Sequence, residues 1–163
     1  MKTSTPHIIE EIRDLLKTSV SDVFMTIFNL EVQEAPLAAS GTEGRPLVAG
    51  SVGFVGDLNG IVYVYVTQSY ARTLASRMLG MAEAELEGDE MVNDVMGELT
   101  NIIVGGVKSR LCDSGNPCVL TIPSIVRGKN ISAEPACAAE GRIFAVTCDN
   151  EQVVVEILMK QPC

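Results

Sequence analysis

The chain holds a single histidine, His7, among its 163 residues. That excludes a histidine-based catalytic triad within one chain. His7 itself stands beside Pro6 at an expected helix start, where a surface or capping residue is the ordinary outcome. Cations are also scarce, with 12 Lys and Arg against 21 Asp and Glu and a net charge of −9. Phosphate backbones would be repelled, so nucleic acid is not an expected partner, whereas a basic protein surface is a suitable one. No apolar run approaches the ~20 residues of a bilayer span, so no membrane partner is expected. Residues 1–11 lack the basic region and apolar stretch of a secretory signal, which makes the cytoplasm the expected location. The five cysteines, Cys112, Cys118, Cys137, Cys148 and Cys163, are odd in number and contain no C-x2-C pair. They read as free thiols in a reducing compartment, with no metal site. No phosphate-cradling glycine loop or nucleophile–base pair is present either, which leaves a small-molecule enzyme without its usual signatures.

What is present describes one folded domain over residues 1–163. A hydrophobic fraction of 47% and a charged fraction of 20% are those of a globular protein able to bury a sizeable core. Residues 5–29 repeat Ile, Leu, Val and Phe at three- and four-residue steps and predict a helix, with Thr5 as its cap and Pro6 in its first turn. Residues 31–46 form a connection, with room for a short strand. Residues 47–55 and 61–67 predict a hairpin across 56–60. Tyr63 and Tyr65 alternate there with Val62, Val64 and Val66, so one hairpin face is expected to be semi-exposed. Thr67 then caps a helix to about Leu79, closed by Gly80. An acidic linker, 83–90, leads into a long helix over roughly 89–111. Residues 119–126 predict a strand interrupted or bent at Pro123. Residues 143–148 and 152–159 predict a second hairpin across Asp149-Asn150. Strands grouped in hairpins imply an α+β fold, an antiparallel sheet with long helices packed on it.

The most telling stretch lies in the long helix and reads D-x3-E-x2-N at Asp94, Glu98 and Asn101. At ~100° per residue these three share one narrow arc, while Val92, Val95, Leu99, Ile102 and Ile103 point toward a core. Gly105 and Gly106 follow one turn later. Spacing alone does not separate this face from an ordinary solvated one, because acidic residues line many exposed helix faces. The glycines weigh against that reading. Gly97, Gly105 and Gly106 each cost up to ~1 kcal/mol relative to Ala inside a helix, and glycines so placed mark close backbone approach to a packed neighbour or to a partner. Carboxylates and an amide followed by bare backbone suit docking against another protein.

In these residues the chain resembles the CheC/CheX/FliY family of chemotaxis phosphatases, and most closely its CheX branch. The family motif is Asp or Ser, three residues, Glu, two residues, Asn, and a Pro about twenty residues on; here it reads Asp94, Glu98, Asn101 and Pro123. The segment 56–63 and the helix end at 77–81 are also similar to CheX. The first helix lacks the second E-x2-N of CheC-type members, since Glu10 is followed by Arg13 and Glu11 by Asp14. One site per chain is therefore expected, and the resemblance implies a homodimer.

The resemblance also implies a substrate, the aspartyl phosphate of a CheY-like response regulator. Phosphoryl transfer needs in-line positioning and charge neutralisation more than covalent help. Asn101, an amide that both donates and accepts, is expected to orient the attacking water, and Glu98 to pair with a receiver lysine and set register. Asp94 and Gly105 are expected to contact the partner, with Asp94 peripheral; a merely solvated Asp94 remains open. The chain needs no cofactor of its own, Mg2+ being expected on the partner's receiver domain. The alternative is a non-catalytic receiver-binding module of the flagellar switch or of another two-component pathway.

Overall fold

A computed structural model describes residues 5–37, 44–133 and 139–160. The first helix, α1 (Thr5–Phe28), buries Ile9, Ile12, Leu16, Val20 and Phe24 completely, as the three- and four-residue steps require. The expected roles of Thr5 and Pro6 fall outside the described side chains. His7 is exposed, with its Nε2 3.2 Å from Glu11 one turn on. A three-residue strand, β1 (Gln33–Ala35), lies in the connection that follows.

The first hairpin is β2 (Leu47–Gly56) and β3 (Gly60–Thr67). The Thr67 hydroxyl accepts from the Tyr70 N–H at 3.2 Å and so starts α2 (Gln68–Leu79); Gly80, at φ +66°, ends it in the left-handed conformation. A single 3-10 turn (Glu83–Glu85) precedes the long helix α3 (Glu90–Asp113). The remaining strands are β4 (Cys118–Leu120), β5 (Ser124–Gly128), β6 (Ala139–Cys148) and β7 (Glu151–Lys160). Asp149 and Asn150 both have positive φ, 55° and 60°, the conformation of a two-residue turn that matches the twist of a hairpin.

The sheet runs β1-β6-β7-β3-β2, and β4 and β5 both pair with the far edge of β2. Each pairing is antiparallel. The fold is α+β, as the hairpin pattern implies. The single strand expected over 119–126 is two strands separated by a step. Cys118–Leu120 lies against residues 54–56 and Ser124–Gly128 against residues 47–51. Between them the Thr121 N–H donates to the Gly53 carbonyl at 2.9 Å, and its hydroxyl accepts from the Gly53 N–H at 2.8 Å. Pro123, with no N–H to give a ladder, sits at the step.

Helices α1 and α3 pack together and cover one sheet face. On the other face Ala49, Tyr65, Ala145 and Val154 form a second, smaller cluster, with Tyr63 and Ile131 against it. Tyr65 is therefore only 5% exposed, more buried than the expected semi-exposed hairpin face, because the chain beyond β5 crosses over it at Ile131. Among the described residues no helix is long and apolar enough to cross a membrane.

Candidate functional site

The long helix α3 divides cleanly into two faces. Val92, Val95, Met96, Leu99, Ile103, Val104 and Val107 are buried, each large side chain contributing roughly 1.5–3 kcal/mol by leaving water. Thr100, also buried, satisfies its hydroxyl by donating to the Met96 carbonyl at 2.7 Å. The helix can sit this close to the sheet only because β2 carries Gly50 beneath it. A methyl group at Gly50 would stand 2.2 Å from Thr100 Oγ1 and 3.2 Å from the Met96 carbonyl oxygen.

On the opposite face Asp94 and Glu98 are exposed and Asn101 is half-exposed. Among the described residues none of these three side chains is tied to the rest of the chain by a hydrogen bond or ion pair. The structure thus brings the sequence-predicted Asp94, Glu98 and Asn101 onto one exposed stripe. Gly105 continues that stripe, with open space where a side chain would project. Gly106 does not: the ~100° step turns it toward α1. A methyl there would stand 2.6 Å from Ser19 Oγ, and Ser19 in turn donates to the Ile103 carbonyl at 2.7 Å. Of the two glycines that follow the motif, Gly105 has open space where a side chain would project, and Gly106, itself exposed, stands close to Ser19 of α1.

Gly97 has a third role. It faces the step between β4 and β5, where a methyl on it would stand 3.5 Å from Pro123 Cβ and 4.0 Å from Ile125 Cδ1. Pro123, twenty-odd residues away in sequence, is therefore a direct neighbour of the motif helix. Two positions further along β5, Arg127 reaches the start of the same helix. Its Nε donates to Asn93 Oδ1 at 2.6 Å, and its Nη1 lies 3.5 Å from Asp89. Pro123, Ile125 and Arg127 all face α3, as the two-residue strand period dictates. The Arg127 lock was missed in the sequence, although that alternation places the arginine on the helix side.

The approach to the site is acidic. Glu83, Glu85, Glu87, Asp89 and Glu90 are exposed ahead of the motif. Arg72 is committed to shaping this linker, donating to the carbonyls of Glu83 at 3.0 Å and Leu86 at 3.3 Å, while Leu86 is buried. The nearby guanidinium groups hold the backbone and the helix start, so the motif face keeps its negative charge. A cleft lies elsewhere, between α2 and the β6–β7 turn, lined by Ser69, Tyr70, Arg77, Asp149 and Glu151 among others and by none of the motif residues. Among the described residues no cluster of His, Cys, Asp and Glu is arranged to hold a metal. Cys112 is exposed, whereas Cys118 and Cys148 are buried free thiols, their pKa values pushed up by burial. Cys137 and Cys163 lie outside the described residues.

The exposed face of α3 therefore bears two carboxylates and an amide and is flanked by a proline from a distant loop. The family described as "Chemotaxis phosphatase CheX" matches residues 48–149, more than half of the chain, including all of α3 and the Pro123 step. The chain belongs to the CheX family of chemotaxis phosphatases. It is a hydrolase by that membership. No curated protein sequence matches the chain. Among solved structures, the CheX of Vibrio vulnificus is 27% identical, with a TM-score of 0.77 over 92% of this chain and 97% of that one. A CheX from Borrelia burgdorferi, solved as a CheX–CheY–BeF3–Mg2+ complex, is 21% identical with a TM-score of 0.71 over 91% of this chain and 97% of that one. FliY of Thermotoga maritima is more distant, 17% identical with a TM-score of 0.64 over 97% of this chain and 91% of that one. The last two show the shared fold.

Proposed function

We propose that this CheX-family chain hydrolyses the aspartyl phosphate of a CheY-like response regulator, with Glu98 and Asn101 as the working pair. The observation that carries the reading is the state of these two side chains. They stand within one turn of each other on the outward face of a helix, unengaged by their own chain and open to a partner's site. The Borrelia relative captured with CheY, BeF3 and Mg2+ supports the same partner class and the expectation of Mg2+ on the partner.

In the proposed reaction Asn101 enters the receiver's phosphorylation site. Its carboxamide holds a water in line with the phosphorus, the amide oxygen accepting a hydrogen bond from the water and the amide NH2 donating to a neighbouring oxygen. The water oxygen bonds to phosphorus, the bond to the aspartyl oxygen breaks, and inorganic phosphate leaves the regenerated carboxylate. Glu98 pairs with a lysine of the receiver and fixes the register in which Asn101 is presented. Asp94 adds a peripheral charge, and Gly105 permits close approach of the partner along the stripe. The receiver's carboxylates hold Mg2+. The setting is the cytoplasm, where response regulators act.

The chain acts as a homodimer in this account, with two equivalent sites. Support comes from exposed apolar residues outside the helix-covered core, Ile143 of β6 among them at 45% exposed, and from the single motif per chain. Light scattering at micromolar concentration should return twice the chain mass; a monomer contradicts the dimer.

The test of the activity is stoichiometry. One chain per ten phosphorylated receivers should release all the phosphate faster than the receiver alone, with Mg2+ present. A binding module would leave the receiver's own decay unchanged, and that result would replace the phosphatase with the flagellar-switch type of reader.

A further inference from the structure

The step between β4 and β5 carries the most exposed large apolar side chain of the described residues. Ile122 is 88% exposed. A lone exposed isoleucine is unremarkable on a mobile loop, but this one is fixed. On its N-terminal side Thr121 is held to Gly53 by two hydrogen bonds, 2.9 and 2.8 Å. On its C-terminal side Pro123 lies against Gly97 of α3. Ile122 is thus a β-branched side chain on a tethered backbone, next in sequence to Pro123, which lies beside Gly97 in the turn of α3 that carries Asp94, Glu98 and Asn101. Ordering it on binding costs little, because its backbone is already immobilised.

We infer that Ile122 is a specificity-determining contact for the receiver domain, inserting against an apolar patch that flanks the receiver's phosphoaspartate pocket. The inference rests on the function proposed above. Two features select this occupant. Ile122 directly precedes Pro123, which borders the motif helix at Gly97, so a partner docked on Asn101 has Ile122 within reach. The acidic stripe demands basic groups opposite Glu98 and Asp94, and an apolar contact at its border gives the buried anchor beside a charged rim that protein interfaces use. Charge steers the encounter and the isoleucine decides which receivers stay.

The test compares Ile122→Ser with Val119→Ser. Val119 is also strongly exposed, 69%, but belongs to β4 and points away from α3. Both substitutions should leave the melting temperature unchanged. With phosphorylated receiver, Ile122→Ser should raise KM at least ten-fold and leave kcat within two-fold, because Asn101 is untouched; Val119→Ser should match the parent chain. Affinity for the beryllofluoride-activated receiver, measured by titration, should fall by the same factor for Ile122→Ser alone. An unchanged KM and affinity, or an equal loss in Val119→Ser, overturns the inference. If the parent chain binds the receiver without hydrolysing it, the proposed activity fails while a ten-fold affinity loss in Ile122→Ser still upholds the contact; absence of any binding overturns both.

Discussion

Among single residues, the stripe on α3 divides labour between charge and amide. Glu98 and Asp94 are both exposed, so neither does much for the stability of the chain itself. Their work is expected in the complex. Glu98→Ala should weaken receiver affinity and turnover together, by about ten-fold or more, because the register-setting ion pair is lost. Asp94→Ala should change each by less than about three-fold, in keeping with a peripheral charge. A binding titration beside a steady-state assay checks both, and equal effects from the two substitutions would contradict the assignment. The motif itself was legible in the sequence because Asp94, Glu98 and Asn101 are local to one helix, and helix geometry places them without help from the rest of the fold. Ile122 and Arg127 were not read as part of the site, since their nearness to α3 depends on how β5 pairs with β2. That pairing is fixed by contacts between distant segments, which one strand's pattern does not reveal.

The elements show the same divide between local and long-range information. Helix limits, the Thr67 cap, the Gly80 stop and both hairpins follow from local signals and were legible. The step at Pro123 was legible as an interruption, but not as two strands on separate parts of β2. The tract opening β6 was missed because Ala139, Glu140, Gly141 and Arg142 show no apolar alternation. The glycines make the point testable. Gly50 lies beneath α3 and Gly105 within it, yet their surroundings differ completely. Gly50→Ala should destabilise the chain by about 1–3 kcal/mol, because the added methyl meets Thr100 and the Met96 carbonyl in a packed layer. Gly105→Ala meets nothing and should stabilise the helix by roughly 0.5–1 kcal/mol through propensity alone. Urea unfolding measures both. A bulkier Gly105→Leu should keep that stability and lose receiver affinity; affinity equal to the parent would remove Gly105 from the docking surface.

At the level of the whole molecule, one sheet carries the motif helix on one side and Tyr63 and Tyr65 on the other, while Tyr70 lies in the helix-side core. All three tyrosines have pKa values raised above the usual 10. Burial is the main cause, aided by Glu156 at Tyr63 and Tyr65, and by Cys148 and Asp149 at Tyr70. The Tyr65 hydroxyl donates to Glu156 at 2.8 Å and that of Tyr70 to Asp149 at 3.3 Å. The folded state therefore favours the neutral phenols. Their contribution to stability is complete below pH ~10 and is lost as pH rises toward the folded-state values. Tyr65 and Tyr70 should stay un-ionised at pH 10 in the native protein and ionise together with unfolding at higher pH; phenolate absorbance of more than one tyrosine near pH 10 without unfolding would contradict this. The same fold holds α3 fixed between the sheet, α1 and the Pro123 step, so that Asn101 is presented without reorganisation. The central claim is that this amide does the chemistry while its neighbours do the docking. Single-turnover dephosphorylation of a saturating, phosphorylated receiver by Asn101→Ala, with binding titrated in parallel, tests it most directly. The account predicts a fall of two or more orders of magnitude in rate, roughly 3 kcal/mol of transition-state stabilisation, with receiver affinity retained. Full hydrolysis by Asn101→Ala would contradict it and leave the helix face as a docking surface alone.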